Sequence, residues 1–161
     1  ALSLPVRDTS FVAYYGEDAE LRLFTDPEPG EDSGDEFFRF TLDDQSLLRH
    51  PDGSLFVPGD SVVIRVTIPG DAFVFYFEPS GLVFHPDEPA EMEIDYGNAD
   101  PDYDDDGDED DEDLDFELEL SIWKQETASD PWVRLGTVQV EELDEVEAEI
   151  TSFTGFALAG N

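Results

Sequence analysis

The sequence predicts an all-β protein, a β-sandwich of about ten short, mostly antiparallel strands in a single domain that spans residues 1–161. Short segments in which apolar and polar residues alternate are one reason for this prediction. A second is that turn-forming Pro and Gly recur between these segments, and a third is that no segment has the apolar period of a helix. An apolar fraction of 39% with 13 Phe is sufficient for a sizeable core.

The N-terminal segments predict an arm followed by several short strands. Leu2, Leu4 and Val6 alternate with polar residues and Pro5, so residues 1–10 are predicted as an arm or an edge strand, joined to the sandwich by the polar residues 7–10. The next predicted elements are strands over 11–15 and 19–25, a loop over 26–36, a strand from 37, at most one helical turn within 43–53, and a brief strand over 55–57.

The strongest strand patterns lie in the middle of the chain. Over 61–68 every second residue is Val or Ile, which predicts one buried face. Over 73–77 Phe alternates with Val and Tyr, so both faces are apolar and a central strand is predicted. Further strands are predicted over 82–84, 91–96, 116–123, 132–140, 145–150 and 153–159, with a hairpin loop over 125–131. In the strand over 91–96, Met92, Ile94 and Tyr96 are predicted to point inward and the acids outward.

Residues 97–115 form a predicted acidic loop that ends in the sequence DPDYDDDGDEDDEDLD. Its aspartates fall on the ligand positions of the twelve-residue calcium loop, and Gly107 stands where that loop turns sharply. The predicted calcium ligands are Asp102, Asp104, Asp106, Asp108, Asp110 and Asp113. A second cation could use Asp105, Asp111 or Asp115. The alternative is a solvated acidic loop, because dense Asp makes such matches frequent, and Asp113 stands where a bidentate Glu is usual.

The charge balance restricts the partners and suggests the environment. Seven Lys plus Arg against 43 acids give a formal net charge of −36, which repels nucleic acid and anionic lipid. No run of residues is apolar enough to span a bilayer. The self-repulsion needs salt or divalent cations, and Lys124 is the only lysine, so we expect an extracellular, cell-surface or halophilic protein. A start at Ala1 agrees with a processed N terminus.

The segment FYFEPSGLVFHPDEPAEMEIDY, residues 75–96, resembles the core signature of the ZU-five sandwich domain of ankyrins and netrin receptors. It is most similar to the bacterial envelope versions, whose later half has a Trp-containing strand, a second Trp and a final Phe-x-x-Phe-Ala strand, here residues 120–132 and 153–159. The resemblance covers residues 61–159. Two departures are Glu78, where the family has Gly, and the longer acidic loop. The resemblance implies a sandwich with an adhesive, scaffold or surface role and brings no catalytic residues.

The remaining reactive side chains predict no enzyme. His50 and His85 each stand beside a Pro in a turn, which favours surface positions over a metal site. Ser80 lies in Pro-Ser-Gly-Leu rather than in the G-x-S-x-G elbow of hydrolases. Carboxylate pairs suited to glycoside hydrolysis can be drawn anywhere in so acidic a chain and therefore carry no information.

Aromatic residues leave a binding function open. Tyr76, Tyr96, Trp123 and Trp132 could line a carbohydrate-binding face, although such residues more often pack in the core or across strands. The sequence as a whole predicts a secreted or cell-surface structural module that calcium stabilises. Self-association into a filament or surface layer would use the N-terminal arm, which pairs either within its own chain or with a neighbour. The alternative function is an extracellular carbohydrate- or ligand-binding module.

Overall fold

The computed structural model describes residues 6–69, 74–96, 121–126, 129–135, 137–140, 145–153 and 155–159. Within these ranges the chain forms thirteen β-strands and no helix, which confirms the predicted all-β fold class. The strands are β1 (Arg7–Tyr14), β2 (Ala19–Phe24), β3 (Glu36–Leu42), β4 (Leu47–Arg49), β5 (Ser61–Ile68), β6 (Val74–Glu78), β7 (Val83–Phe84), β8 (Ala90–Asp95), β9 (Ser121–Gln125), β10 (Val133–Arg134), β11 (Thr137–Val140), β12 (Glu145–Ile150) and β13 (Gly155–Ala159).

Antiparallel pairing assembles these strands into two large sheets and one small one. The six-stranded sheet has the order β1-β5-β6-β13-β9-β10, and the five-stranded sheet has the order β11-β12-β8-β3-β2. Strands β4 and β7 form a separate pair. The chain passes directly from one large sheet to the other between β1 and β2, β8 and β9, β10 and β11, and β12 and β13, and it passes through β4 between β3 and β5 and through β7 between β6 and β8. These changes place the two sheets on opposite sides of one core.

The core between the sheets consists mainly of Phe side chains. Phe38 and Phe40 of β3 pack against Phe75 and Phe77 of β6, with ring centroids 4.9 Å and 5.4 Å apart for the pairs 38–75 and 40–77. Phe153 stacks on Phe77 at 4.9 Å. All five side chains are at most 3% exposed. Such aromatic pairs add about 0.5–1.5 kcal/mol each beyond the burial of apolar area.

The segments with the clearest alternation match the predicted strands. Strand β5 has the predicted bounds. In β8, Met92, Ile94 and the following Tyr96 are buried as predicted. Strand β6 lies between β5 and β13, the predicted central position, although Tyr76 on its outer face is 45% exposed. The period-2 pattern therefore identifies the buried face correctly in these strands.

Other local predictions were wrong. Residues 7–10 do not form a polar linker: they belong to β1, which pairs with β5 as an edge strand, the alternative predicted for residues 1–10, and the ion pair of Asp8 with Arg65 joins the two strands. Residues 43–53 contain β4 rather than a helical turn. The brief strand predicted over 55–57 is reduced to a single bridge between Leu55 and Arg49. The strand predicted over 132–140 is divided between β10 and β11, which lie in different sheets.

Several predicted features lie outside the described residues. These are the arm up to residue 5, the acidic loop and residues 116–120 of the strand that follows it. In the described part of the chain there is no helix of the length and apolarity needed to cross a membrane.

Candidate functional site

The outer face of the five-stranded sheet carries opposed rows of carboxylates. On β8 and β12 the residues that alternate with the buried ones are all acidic: Glu91, Glu93, Asp95, Glu145, Glu147 and Glu149. The antiparallel register places Glu91 opposite Glu149, Glu93 opposite Glu147, and Asp95 opposite Glu145. We call these six residues the acidic seam.

The acidic seam follows from the apolar pattern of the two strands. Ala90, Met92 and Ile94 of β8 lie opposite Ile150, Ala148 and Val146 of β12, and all six are at most 5% exposed. A slip of one residue would bury the acids instead, so the core fixes this register. Like charges directly opposite one another weaken strand pairing. The core therefore holds together side chains that repel each other.

Three members of the seam form a close cluster. Carboxylate oxygens of Glu93, Glu145 and Glu147 lie within 4.8 Å of one another. Burial, the charge of Glu93, a hydrogen bond with Glu93 and the charges of Asp95 and Glu147 raise the pKa of Glu145 to about 7. Burial and the charges of Glu93 and Glu91 also raise the pKa of Glu147. A hydrogen bond between two carboxyl groups requires a proton, so the cluster holds one at a pH where an ordinary glutamate is ionised.

Arg39 of β3 is the cation beside this cluster. Its Nε donates to Glu36 Oε1 at 2.8 Å, and its Nη1 lies 3.7 Å from Glu93 Oε2. Arg22 of β2 lies opposite Arg39 and approaches Glu36 at 3.9 Å. Among the described residues, the positive charge of the face is thus at the β2–β3 side, and the outward residues of β8 and β12 are all acidic.

A cleft of about 430 Å³ lies over the same face. It is lined by Glu20, Arg39, Thr41, Glu91, Met92, Glu93, Glu147, Ala148 and Glu149. Hard cations such as calcium bind carboxylate oxygens, but an acidic group on a sheet surface does not by itself define a metal site, and we assign no metal to it. The cleft can interact with cations and protons through charge.

The predicted calcium ligands lie outside the described residues. These ligands are Asp102, Asp104, Asp106, Asp108, Asp110 and Asp113, and the second-cation candidates Asp105, Asp111 and Asp115 lie outside them as well. The strands on either side of the acidic loop are described. The loop follows β8 of the five-stranded sheet and precedes β9 of the six-stranded sheet.

The two histidines stabilise turns. His50 Nε2 lies 3.0 Å from Asp60 Oδ2, and the imidazole stacks on the ring of Phe56 with centroids 3.7 Å apart. The hydrogen bond with His50, together with the one from the Val57 backbone, lowers the pKa of Asp60. His85 Nδ1 accepts the backbone N–H of residue 87. Each imidazole therefore has a local structural contact.

Lys124 and Ser152 come nearest to a catalytic arrangement among the described residues. Lys124 Nζ donates to Ser152 Oγ at 2.6 Å, a contact of the kind found in Ser–Lys dyads. Glu126 also pairs with Nζ, so the Lys124 side chain contacts both Ser152 and Glu126. Ser80 is exposed in the turn after β6. Among the described residues, the contact of Lys124 with Ser152 links β9 to the segment that follows β12.

The four aromatic residues of the predicted binding face are separated. Tyr96 is buried in the core, and Trp132 lies just before β10. Tyr76 and Trp123 share the outer face of the six-stranded sheet, with β13 between their strands. The Tyr76 ring packs against Gly155, where a Cβ would approach Tyr76 Cε1 to 3.3 Å. Gly155 and Ala157 of β13 lie between the two aromatic side chains, and because both residues are small they leave a shallow surface there.

Comparison with known proteins gives no relative: no family model matches the chain, and neither the search of curated proteins nor that of solved structures found a match. The resemblance to ZU-five sandwich domains over residues 61–159 therefore stays a prediction from the sequence. The acidic seam is the feature that sequence reasoning missed. The outward acids of the strand over 91–96 were predicted and so was the strand over 145–150. No local pattern predicts that these two strands pair, because some fifty residues separate them in the sequence.

Proposed function

We propose that this protein is a secreted or cell-surface structural module that calcium stabilises. The acidic seam is the observation that supports this most directly, because a fold that holds like charges in register gains stability when cations or salt screen them. The tightly packed Phe core and the structural contacts of both histidines favour a role in packing over one in catalysis.

Calcium binding is proposed at the acidic loop. The ligands are Asp102, Asp104, Asp106, Asp108, Asp110 and Asp113, with Gly107 at the sharp turn. This loop connects β8 of one sheet to β9 of the other, and an ion that binds the native loop but not the unfolded chain would stabilise the fold that holds both strands.

Thermal unfolding of the full chain tests the calcium site. At a hundredfold excess over Kd, calcium should stabilise the protein by about 2.7 kcal/mol. This corresponds to about 5–10 °C in Tm for a chain of this size. Chelator should reverse the gain, and the triple variant Asp102→Asn, Asp104→Asn, Asp106→Asn should abolish it.

The matched control removes the same charge from exposed turns and loops, in the triple variant Asp18→Asn, Asp32→Asn, Asp44→Asn. This control should keep the response to calcium, with ionic strength held constant by NaCl. If the loop variant responds to calcium as the parent does, the ion is bound elsewhere.

We further propose that the module assembles into a filament or surface layer through its N-terminal arm. Strand β1 is an edge of the six-stranded sheet, and Val6, directly before it, is 69% exposed. An arm that adds to the sheet edge of the next copy makes a head-to-tail contact, which does not close. Deleting residues 1–5 should abolish large species in sedimentation and leave Tm unchanged. Unaltered assembly would exclude the arm.

A second candidate function is carbohydrate binding on the outer face of the six-stranded sheet. Tyr76 is 45% exposed and packs against Gly155, and Trp123 lies on the other side of the small residues Gly155 and Ala157. Flat rings flanking small residues offer a stacking surface for sugar rings. Glycan binding should then be lost in Tyr76→Ala and kept in Phe24→Ala, since Phe24 is equally exposed on the other sheet. Equal binding by both variants would exclude this surface.

A further inference from the structure

Strands β11 and β12 join the rest of their sheet across the acidic seam. In the order β11-β12-β8-β3-β2, these two strands are outermost, and β12 reaches the other strands of the sheet through β8. All three non-core residue pairs across the β8–β12 junction are acid against acid. The pairing of two strands therefore depends on how much charge the seam carries.

The neighbouring strands supply little compensation. From β3, Arg39 and Glu36 face the seam, and from β2, Arg22 and Glu20 lie on the same face. Strand β11 has the sequence TVQV, which contains no titratable residue. Among the residues that the structure describes on this face, eight carboxylates thus share two guanidinium groups, and Arg39 is the one in contact with the cluster, through Glu93. At low salt and without divalent cations, bound protons are a further way to lower the charge.

We propose that the acidic seam is a pH-sensitive device in which a proton held among Glu93, Glu145 and Glu147 tightens the pairing of β12 with β8. When that proton leaves in alkaline solution of low salt, three neighbouring carboxylates repel one another and the pairing weakens. The device lies on the strands and is separate from the calcium loop proposed above.

The direction of the pH effect follows from the affinity for the proton. The native state raises the pKa of Glu145 from 4.5 to about 7, so it binds the proton more tightly than the unfolded chain does. The stability from this group is complete below about pH 4.5 and is lost as pH rises through about 7. This single group makes the unfolding equilibrium constant about tenfold larger at pH 8.5 than at pH 6.

Urea unfolding of the full chain tests the device, with chelator present and at constant low NaCl. The parent should show the tenfold loss between pH 6 and pH 8.5. Glu145→Gln cannot ionise, so it should lose most of that pH dependence and be more stable than the parent at pH 8.5. Glu17→Gln removes the same charge from an exposed turn and should keep the parent's pH dependence.

Both variants keep His50 and His85, so the comparison also separates the seam from any contribution of the two histidines. A Glu145→Gln variant with the parent's pH dependence would overturn the proposal. A direct readout is the ¹³C titration of glutamate carboxyls: one midpoint should lie near pH 7 and move down in Glu93→Gln. Titration of every glutamate below about pH 5 would overturn the proposal equally.

Discussion

Replacing Arg39 by Gln should destabilise the protein in a way that depends on salt. Arg39 contacts Glu36 and Glu93, and Glu93 belongs to the three-carboxylate cluster with Glu145 and Glu147. Loss of the guanidinium removes two ion pairs and leaves the cluster beside no contacting cation among the described residues. The variant therefore measures how much the acidic seam depends on its neighbouring positive charge.

The size of the effect follows from the two contacts. Exposed ion pairs contribute about 0.2–1 kcal/mol each, and the Arg39 side chain is 34% exposed, so partial screening applies. We expect a loss of about 1–2 kcal/mol at low salt, near the upper end because repulsion within the cluster is no longer offset. This corresponds to a fall in Tm of about 2–8 °C for a chain of this size. In 1 M NaCl the loss should shrink below about 0.5 kcal/mol, because the Debye length is then only about 3 Å.

The assay is thermal unfolding followed by circular dichroism at about 0.1 M and 1 M NaCl, with chelator present. Arg65→Gln is the matched control, since Arg65 also pairs with two carboxylates, Asp8 and Glu78, but on the other sheet and at 51% exposure. Its loss should be smaller. Equal losses in the two variants, or a loss from Arg39→Gln that 1 M salt does not reduce, would refute the reasoning. Arg39 also lowers the pKa of Glu147, so its removal should extend the pH-sensitive range upward.

Three further outcomes are expected. Phe40→Ala, at a fully buried position, should cost about 3–5 kcal/mol in urea unfolding, whereas Val133→Ala, 59% exposed, should stay within about 0.5 kcal/mol; similar losses would contradict the described core. Raising NaCl from about 0.1 M to 1 M should raise Tm without divalent ions, because a net charge of −36 opposes compactness, and a flat Tm would show that the charges are harmlessly spaced. Gly155→Val should displace the Tyr76 ring, which its Cβ would meet at 3.3 Å, and unchanged NMR shifts of that ring would show that the space exists.

The buried faces of the strands could be predicted because the period of a strand is local. Ile64 and Val66 of β5 and Met92 and Ile94 of β8 alternate with polar or exposed residues, and all four are fully buried. The alternation along one strand indicates which of its faces is buried, and it does so without information on which strands lie beside it.

The partner of each strand could not be predicted in the same way. Residues 15–18 alone separate β1 from β2, yet the two strands lie in different sheets, and β10 and β11 are divided likewise. Sheet membership depends on contacts between residues far apart in sequence. The acidic seam was missed for this reason, because Glu93 and Glu147 become neighbours only when β8 and β12 pair.

The two faces of β12 make opposite contributions to its position, and their magnitudes show which one wins. Its inward side buries Val146 and Ile150 almost completely, worth about 1.5–3 kcal/mol each. Its outward side opposes like charges in three pairs, each costing about 0.2–1 kcal/mol. Burial outweighs repulsion even at low salt, so β12 stays in the sheet whether or not the cluster holds its proton. Protons and salt therefore adjust the strength of the β8–β12 pairing, and the acidic seam tunes a fold that its apolar core has already determined.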